Sequence, residues 1–448
     1  MLTKQDNEFL TRVGPGTPMG TLMREYWIPA LLSAELAEPD GAPYRLRLLC
    51  EDLIAFRTTS GGVGVMQNAC PHRGASMFFG RNEEDGLRCV YHGWKFDVTG
   101  ACVDMPNEPA ESNFKHKIKA TAYPTRERNG VVWVYMGPRA ELPPLPDIEP
   151  NLLTDRKVSY LKTMRACNWV QGLEGDIDTS HLGFLHLGHV NPSDVTEGSF
   201  DYYTVRDRQP RYTVIDTDFG TMYGAYRPAQ EGANYWRFAS FLFPFYTMIP
   251  TNVLGIQILV RAWVPIDDDH MMFWSFDVPE TTFRLNIDRD NYDANPANGM
   301  FHAKGGYLPD GSGSLDKWRL AANAGNDYLI DRENQKHQTY TGLTGIYLQD
   351  QAVTEAMGTV VDRTKEHLGS ADVMVIRTRR RLVNAAKALV ADGAVPPGVE
   401  NPAVYGTRSG GVILATDADW LEATKDLRLA FTEHPELDDP SKVFTLWK

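Results

Sequence analysis

Two short stretches, CPHRGASM from Cys70 and CVYHGW from Cys89, limit what this chain can be more sharply than anything else in it. Each sets one thiol and one imidazole on a tight loop, Cys70 with His72 and Cys89 with His92, and residues 73–88 separate the two pairs. Pro71, Gly74 and Gly93 allow the backbone to curl about a small object. Two soft sulfurs and two nitrogens suit either a tetrahedral zinc or a two-iron, two-sulfur cluster with the cysteines on one iron and the histidines on the other. The ligand count does not separate these. The arrangement favours the cluster, because a structural zinc commonly takes paired cysteines and paired histidines from separate halves, whereas each loop here supplies one of each and can feed both irons.

A cluster so ligated has no open coordination site and does no substrate chemistry itself. Histidine ligation raises its potential to roughly −150 to +300 mV, so it can accept an electron from a flavin or ferredoxin donor and needs somewhere to send it. The stretch DIDTSHLGFLH, Asp176 to His186, offers a candidate. A regular helix turns about 100° per residue, so histidines five apart point in different directions and would not chelate one ion. Gly183 lies between them and permits the bend or local unwinding that could bring both rings together. Asp178 and His181, three apart, do share a face. The plain alternative is two ordinary histidines in a helix whose Leu182, Phe184 and Leu185 are core.

At 448 residues the chain can hold two or three ordinary domains. Its formal charge of −13 argues against a nucleic-acid surface or an anionic membrane as the main partner. No apolar run approaches ~18 residues, and the start, MLTKQDNEFL, lacks a basic opening followed by an apolar core, so the chain reads as soluble and unexported. The five cysteines, Cys50, Cys70, Cys89, Cys102 and Cys167, are odd in number and sparse, which suits a reducing cytoplasm better than a disulfide framework.

Residues 43–136 carry short β-rich runs, PYRLRLLC, DLIAFRT, VGVMQNAC, LRCVYHGWKFD and VVWVYMG, parted by Gly, Asn and Asp turns. They predict a small, mostly antiparallel β unit after a first helix. GPRAELPPLPDIEP, residues 137–150, has five prolines and predicts a boundary or strap. Beyond it come the strand-like runs RYTVIDTDF, YWRFASFLF and IQILVRAWVPI, a polar stretch over about residues 285–325, and a helical pattern from Asp350 to Leu389 with a break at Gly369. The fold class expected is α+β, the second part an antiparallel sheet packed by long helices.

CPHRGA with CVYHGWKFD resembles the two loops of a Rieske iron–sulfur domain, and NWVQGLEGDIDTSHLGFLH following it resembles the terminal oxygenase, the alpha subunit, of Rieske non-haem iron oxygenases. The resemblance implies a Rieske 2Fe–2S domain over residues 1–150 and a catalytic domain with mononuclear Fe(II) over 151–448. It implies that Cys70, His72, Cys89 and His92 hold the cluster, and that His181 and His186 are two ligands of a two-histidine, one-carboxylate centre with positions open for O₂. Asp178 matches the aspartate that in this family bridges a cluster histidine of one subunit to an iron histidine of its neighbour. A carboxylate can accept from both imidazole N–H groups, fixing their tautomers and giving the electron a short bonded route. The third ligand in the family lies far downstream at the start of a long helix, where LQDQAVTEAMGTVVDRT presents Asp350, with Glu355 and Asp362 as alternatives. Glu174 and Asp176 are expected to be structural or to support the ligands from behind.

The runs GPGTPMGTLMREYWIPA, AWVPIDD from Ala262, NDYLIDRENQ and VDRTKEHLG resemble the phthalate-dioxygenase branch, whose members act on aromatic acids. Gly14, Gly16 and Gly20 have the spacing of a glycine-rich loop, but two prolines and no preceding strand exclude a Rossmann turn. The pyridine nucleotide is therefore expected on a separate flavin and iron–sulfur reductase, with or without a ferredoxin. The intersubunit bridge implies a homotrimer or hexamer. The expected reaction is ring hydroxylation or dihydroxylation of a phthalate-like acid. O-demethylation or hydroxylation of a methoxylated or halogenated aromatic acid is the alternative, and a Rieske electron carrier without oxygenase activity the reading from another class. Arg227, Arg237 and Arg261 lie on strand-like runs rich in aromatics and could grip a carboxylate, but surface or strap roles are commoner, and the sequence assigns no residue to the substrate.

Overall fold

The structure is a computed structural model that describes residues 2–195, 197–282, 306–434 and 437. The β-rich runs of the first part become three small antiparallel sheets. Trp27–Leu32 pairs with Val131–Tyr135, which pairs with Thr125–Arg128. Tyr44–Leu48, Glu51–Arg57, Val63–Gln67 and Ala122–Tyr123 form a second sheet. Arg81–Glu83, Gly86–Arg88, Lys95–Phe96 and Cys102–Asp104 form a third. Two of the hairpins turn on paired left-handed residues: Glu84 and Asp85, at φ 46° and 57°, and Asn129 and Gly130, at φ 47° and 78°. That backbone matches the right-handed twist of the strands it joins, and Asn-Gly adopts it at little cost.

The second part is built on an eight-stranded antiparallel sheet. Its order is Ser159–Arg165, Met271–Asp277, Leu259–Pro265, Tyr246–Met248, Ala233–Leu242, Gly220–Pro228 and Arg211–Asp216, with Gly410–Ala415 paired beside Ala233–Leu242. Leu259–Pro265 is buried at every position. Both faces of the central strands are covered, which explains why their sequences read as unbroken apolar runs rather than alternating ones. The helices Trp169–Asp176 and Val373–Asp392 pack on the sheet, and Ile346–Ala356 packs on the first of them.

Two features depart from the sequence expectations. The helical pattern from Asp350 to Leu389 is two helices, Ile346–Ala356 and Val373–Asp392, joined by a segment that starts at Gly358 with φ 92° and ends past Gly369. The break is thus wider than one glycine. The N-terminal helices Lys4–Thr11 and Pro18–Arg24 pack against Val373–Asp392, burying Leu10, Met19, Leu22 and Met23 in a core shared with the second part. The proline-rich strap runs without regular structure until a short turn of helix, Glu149–Leu152, begins with Pro150 in its first turn, where the missing N–H costs nothing. Much of the polar stretch at 285–325 lies outside the described residues. No helix among the described residues is long and apolar enough to cross a membrane.

Candidate active site

The two cysteine–histidine loops have the same backbone plan. The Cys70 N–H donates to the Ala75 carbonyl at 2.8 Å and the Cys70 carbonyl accepts from Gly74; the Cys89 N–H donates to Trp94 at 2.8 Å and its carbonyl accepts from Gly93. Gly74 and Gly93 stand at φ 75° and 79°, and a Cβ on Gly93 would lie 2.6 Å from Pro106. Both cysteines are buried, with their thiols near enough to interact. The rings of His72 and His92 meet edge to face at 4.4 Å, and Trp94 stacks on His72 at 4.3 Å. Sulfur therefore faces sulfur and imidazole faces imidazole, the segregation that a cluster with cysteines on one iron and histidines on the other requires.

His92 Nδ1 is buried with no hydrogen-bond partner among the described residues, as expected of a ring nitrogen kept for a metal. A single tetrahedral zinc would draw all four donor atoms to one point. Among the described residues, the group of three such side chains whose ligand atoms all lie within 4.8 Å of one another is elsewhere: His181, His186 and Asp350.

That second group forms where the helix Trp169–Asp176 ends. Leu182–His186 is one π turn, closed by the Leu187 N–H donating to the Leu182 carbonyl at 3.0 Å. A π turn bonds residues five apart, so it puts on one side the two histidines that a regular helix would separate. The rings of His181 and His186 lie 5.0 Å apart. Their Nε2 atoms are 3.7 and 3.3 Å from Asp350 Oδ1. Burial would push the Asp350 carboxyl up, but His186 and then His181 hold it at about 2, so it stands as the carboxylate a metal needs.

The far nitrogens are occupied. His181 Nδ1 is 3.4 Å from Asp178 Oδ2, and His186 Nδ1 is 2.6 Å from Gln349 Oε1. Gln349 is itself fixed by donating to the Leu343 carbonyl at 3.0 Å. Both rings thus turn Nε2 inward with the tautomer set from behind, the usual support of metal-binding imidazoles. The donor set fits an open iron site.

The helix Trp169–Asp176, which leads into the histidine turn, and Ile346–Ala356, which carries Asp350, are tied to each other and to the sheet. Gln171 donates to the carbonyls of Thr354 and Gly358, both at 2.9 Å. Asp176 sits under the last turn and takes Arg261 at 2.5 Å, Thr247 at 2.6 Å and the Trp263 indole at 3.1 Å. Burial would discharge Arg261, and Asp176 more than offsets it. Glu174 likewise pairs with Arg363 and Arg379. Both acids are structural, as the sequence suggested, and Arg261 is committed to Asp176 rather than to a substrate. Asp176→Asn keeps the shape but leaves Arg261 buried without its counter-charge. We expect it to lower the unfolding free energy by about 3–5 kcal/mol in urea titrations. A loss under about 1 kcal/mol would show the pair to be dispensable.

The alternatives for the third ligand are placed elsewhere. Glu355 accepts from the Ala166 N–H, Gln351 and Tyr328, and Asp362 accepts from the Thr364 N–H and hydroxyl. Gly183 lies inside the π turn, which is the local unwinding expected of this stretch. It keeps a negative φ, and a Cβ built on it would meet the stem of Arg208 at 3.4 Å, an ordinary contact. Arg208 then donates to the carbonyls of Leu187, Gly188 and Val190, fastening the exit of the π turn. Sequence reasoning missed Arg208, which has no motif around it. Gln349 was likewise given no role by the sequence; its adjacency to a candidate ligand was the available signal.

An electron-relay loop pair followed by a two-histidine, one-carboxylate centre backed by an aspartate defines a Rieske-type oxygenase. The comparisons agree. The Rieske [2Fe-2S] domain family matches residues 26–123 and the "LigXa C-terminal domain like" family residues 134–440. The chain is 46% identical to the 3-chlorobenzoate-3,4-dioxygenase oxygenase subunit of Comamonas testosteroni over 94% of this chain and 97% of that one. It is 38% identical to the phthalate 4,5-dioxygenase oxygenase subunit of Pseudomonas putida over 94% of each. In fold it is similar to dicamba monooxygenase, with a TM-score of 0.55 and 19% identity over 83% of this chain and 99% of that one. The chain belongs to the Rieske non-haem iron oxygenases, in the branch with a LigXa-like C-terminal domain. It is an oxidoreductase that incorporates O₂, with a Rieske 2Fe–2S cluster and a mononuclear iron as its cofactors.

Proposed function

We propose that this chain is the terminal oxygenase component for an aromatic acid, supplied with NAD(P)H electrons by a separate flavin and iron–sulfur reductase, with or without a ferredoxin. Cys70, Cys89, His72 and His92 hold the cluster, and His181, His186 and Asp350 hold the iron. When bound, these groups relay single electrons and activate O₂. The chain's own part is to fix geometry. Asp178 holds the His181 Nδ1 proton, Gln349 holds that of His186, and Asp350 supplies the charge that completes the centre.

The observation that carries the reading is the convergence of His181, His186 and Asp350 within 4.8 Å, with Asp178 behind the first histidine. Asp178 and His181 keep 23% and 27% of their side-chain surface exposed. That exposure leaves the pair open to a cluster histidine from a neighbouring copy, and we assign a homotrimer or a multiple of one. The working division falls near residue 150, and the working compartment is the cytoplasm.

Analysis of anaerobically purified protein is expected to give about three irons and two acid-labile sulfides per chain, with a Rieske-type EPR signal after dithionite. Zinc without sulfide would overturn the cluster. One relative, the 5,5'-dehydrodivanillate O-demethylase oxygenase subunit of a Sphingobium strain, is 31% identical over 90% of this chain. Demethylation or monohydroxylation is therefore the second reading. Labelled O₂ separates the two, because a dihydroxylated product carries both labelled atoms, a monohydroxylated ring carries one, and demethylation sends its labelled atom into the released formaldehyde and leaves the phenol unlabelled.

A further inference from the structure

Arg227 carries a charge that no carboxylate among the described residues pairs with. It is wholly buried near the end of the strand Gly220–Pro228. Its Nε donates to the Asp207 carbonyl at 2.7 Å, which fixes the plane of the guanidinium. Neither Nη has a hydrogen-bond acceptor among the described residues. Burial, and then Arg237 nearby, pull its pKa down to about 10, so it is still charged at neutral pH. A buried, charged fork with two free donors on one edge is costly unless an anion meets it.

The register shows where that fork points. Residues directly opposite in an antiparallel sheet share a face. Tyr212 lies opposite Ala225, Ala225 opposite Arg237, and Arg227 opposite Tyr235. Continuing across, Phe241 lies opposite Thr247 and Thr247 opposite Arg261. Thr247 and Arg261 grip Asp176, so Arg227 is on the sheet face that lies under the metal-binding segment. Tyr212 and Tyr223, whose rings meet at 5.7 Å, are within electrostatic reach of both Arg227 and Asp178. The hydroxyls of Tyr212 and of Thr179, the residue after Asp178, are also buried, with no hydrogen-bond partner assigned among the described residues.

We propose that Arg227 receives the carboxylate of the aromatic substrate end-on through its two Nη groups, with Tyr212 and Tyr223 beside the ring, so that the ring edge far from the carboxylate faces His181, His186 and Asp350. This rests on the aromatic-acid reading above and adds to it the anchor and the regiochemistry. A planar fork matches a carboxylate in a way a lone ammonium does not. Anchoring at the sheet places oxygenation at carbons meta or para to the carboxylate. The two relatives named above are named for oxidation at such carbons, 3,4 of 3-chlorobenzoate and 4,5 of phthalate.

The test uses metal-loaded protein with benzoate and 3-chlorobenzoate as probes, each against its neutral amide, and measures equilibrium binding and product identity. The wild type is expected to bind each acid at least about 100-fold more tightly than its amide, because the amide leaves the fork unpaired. Arg227→Met is expected to bring acid binding down to about the level of the amide. If the wild type does not prefer acids, the aromatic-acid reading itself falls. If it does, and folded Arg227→Met keeps the preference, that reading stands and the arginine anchor is overturned. Should Arg227→Met fail to fold, Arg227→Lys decides: acid binding weakened about tenfold with amide binding unchanged supports the fork, and unchanged acid binding overturns it. Oxygenation of 3-chlorobenzoate at a carbon adjacent to that bearing the carboxylate would also overturn the orientation.

Discussion

Asp178→Asn is expected to leave cluster and iron fully loaded while coupled turnover with the reductase falls by about 100-fold. The size of the effect follows from how the carboxylate is held. Asp178 Oδ1 accepts from the Ser180 N–H at 2.7 Å and its hydroxyl at 2.6 Å, and this leaves Oδ2 for His181 Nδ1. An asparagine that keeps its oxygen on Ser180 must present its NH₂ to the imidazole N–H, donor against donor. With Nε2 kept on the iron, the ring loses its hydrogen bond to residue 178, and the negative charge that stabilises a proton shared with a second imidazole is gone. The triad atoms themselves are untouched, so iron content should hold. Metal analysis, EPR of the reduced cluster and substrate-dependent O₂ uptake measured on the same preparation separate these effects. Wild-type coupled turnover in a fully loaded Asp178→Asn would remove Asp178 from the electron route.

The site was legible in the sequence to the extent that its chemistry forces residue types. Two thiols and two imidazoles on paired loops have few uses, whereas Asp178, His181, His186 and Asp350 were assigned from the resemblance of their stretches to the family, since their own spacing left ordinary roles open. The strands were legible because covered strands are long apolar runs, as in Leu259–Pro265. What could not be read depends on partners distant in sequence. The π turn is a choice of one backbone hydrogen bond, fastened by Arg208 some twenty residues on. The strand Gly410–Ala415 opens on two glycines and is set by pairing with Ala233–Leu242. The three arginines on aromatic-rich strands looked alike. Only packing distinguishes Arg261, neutralised by Asp176, from Arg237, which donates to the Pro250 carbonyl, and Arg227, whose Nη groups have no acceptor among the described residues.

Asp350→Ala should remove the mononuclear iron and leave the cluster. Iron is expected to fall from about three to about two per chain with sulfide unchanged at about two, and oxygenation should cease. Two neutral imidazoles do not hold a divalent iron in competition with water and buffer, whereas a carboxylate supplies charge as well as a third donor. Asp350 is the acid that meets both rings, at 3.7 and 3.3 Å from their Nε2 atoms. It sits in the second turn of Ile346–Ala356, next to the Gln349 that fixes His186, so the same helix sets one ligand and orients another. The two other downstream acids provide the controls. Glu355→Gln and Asp362→Asn alter side chains bonded elsewhere and should keep the third iron. Retention of three irons in Asp350→Ala, with loss in Glu355→Gln, would move the third ligand one helical turn along and break the assignment. Loss in Asp350→Ala alone would fix it, and the surviving Rieske signal would show that the cluster loops fold and load without the metal they serve.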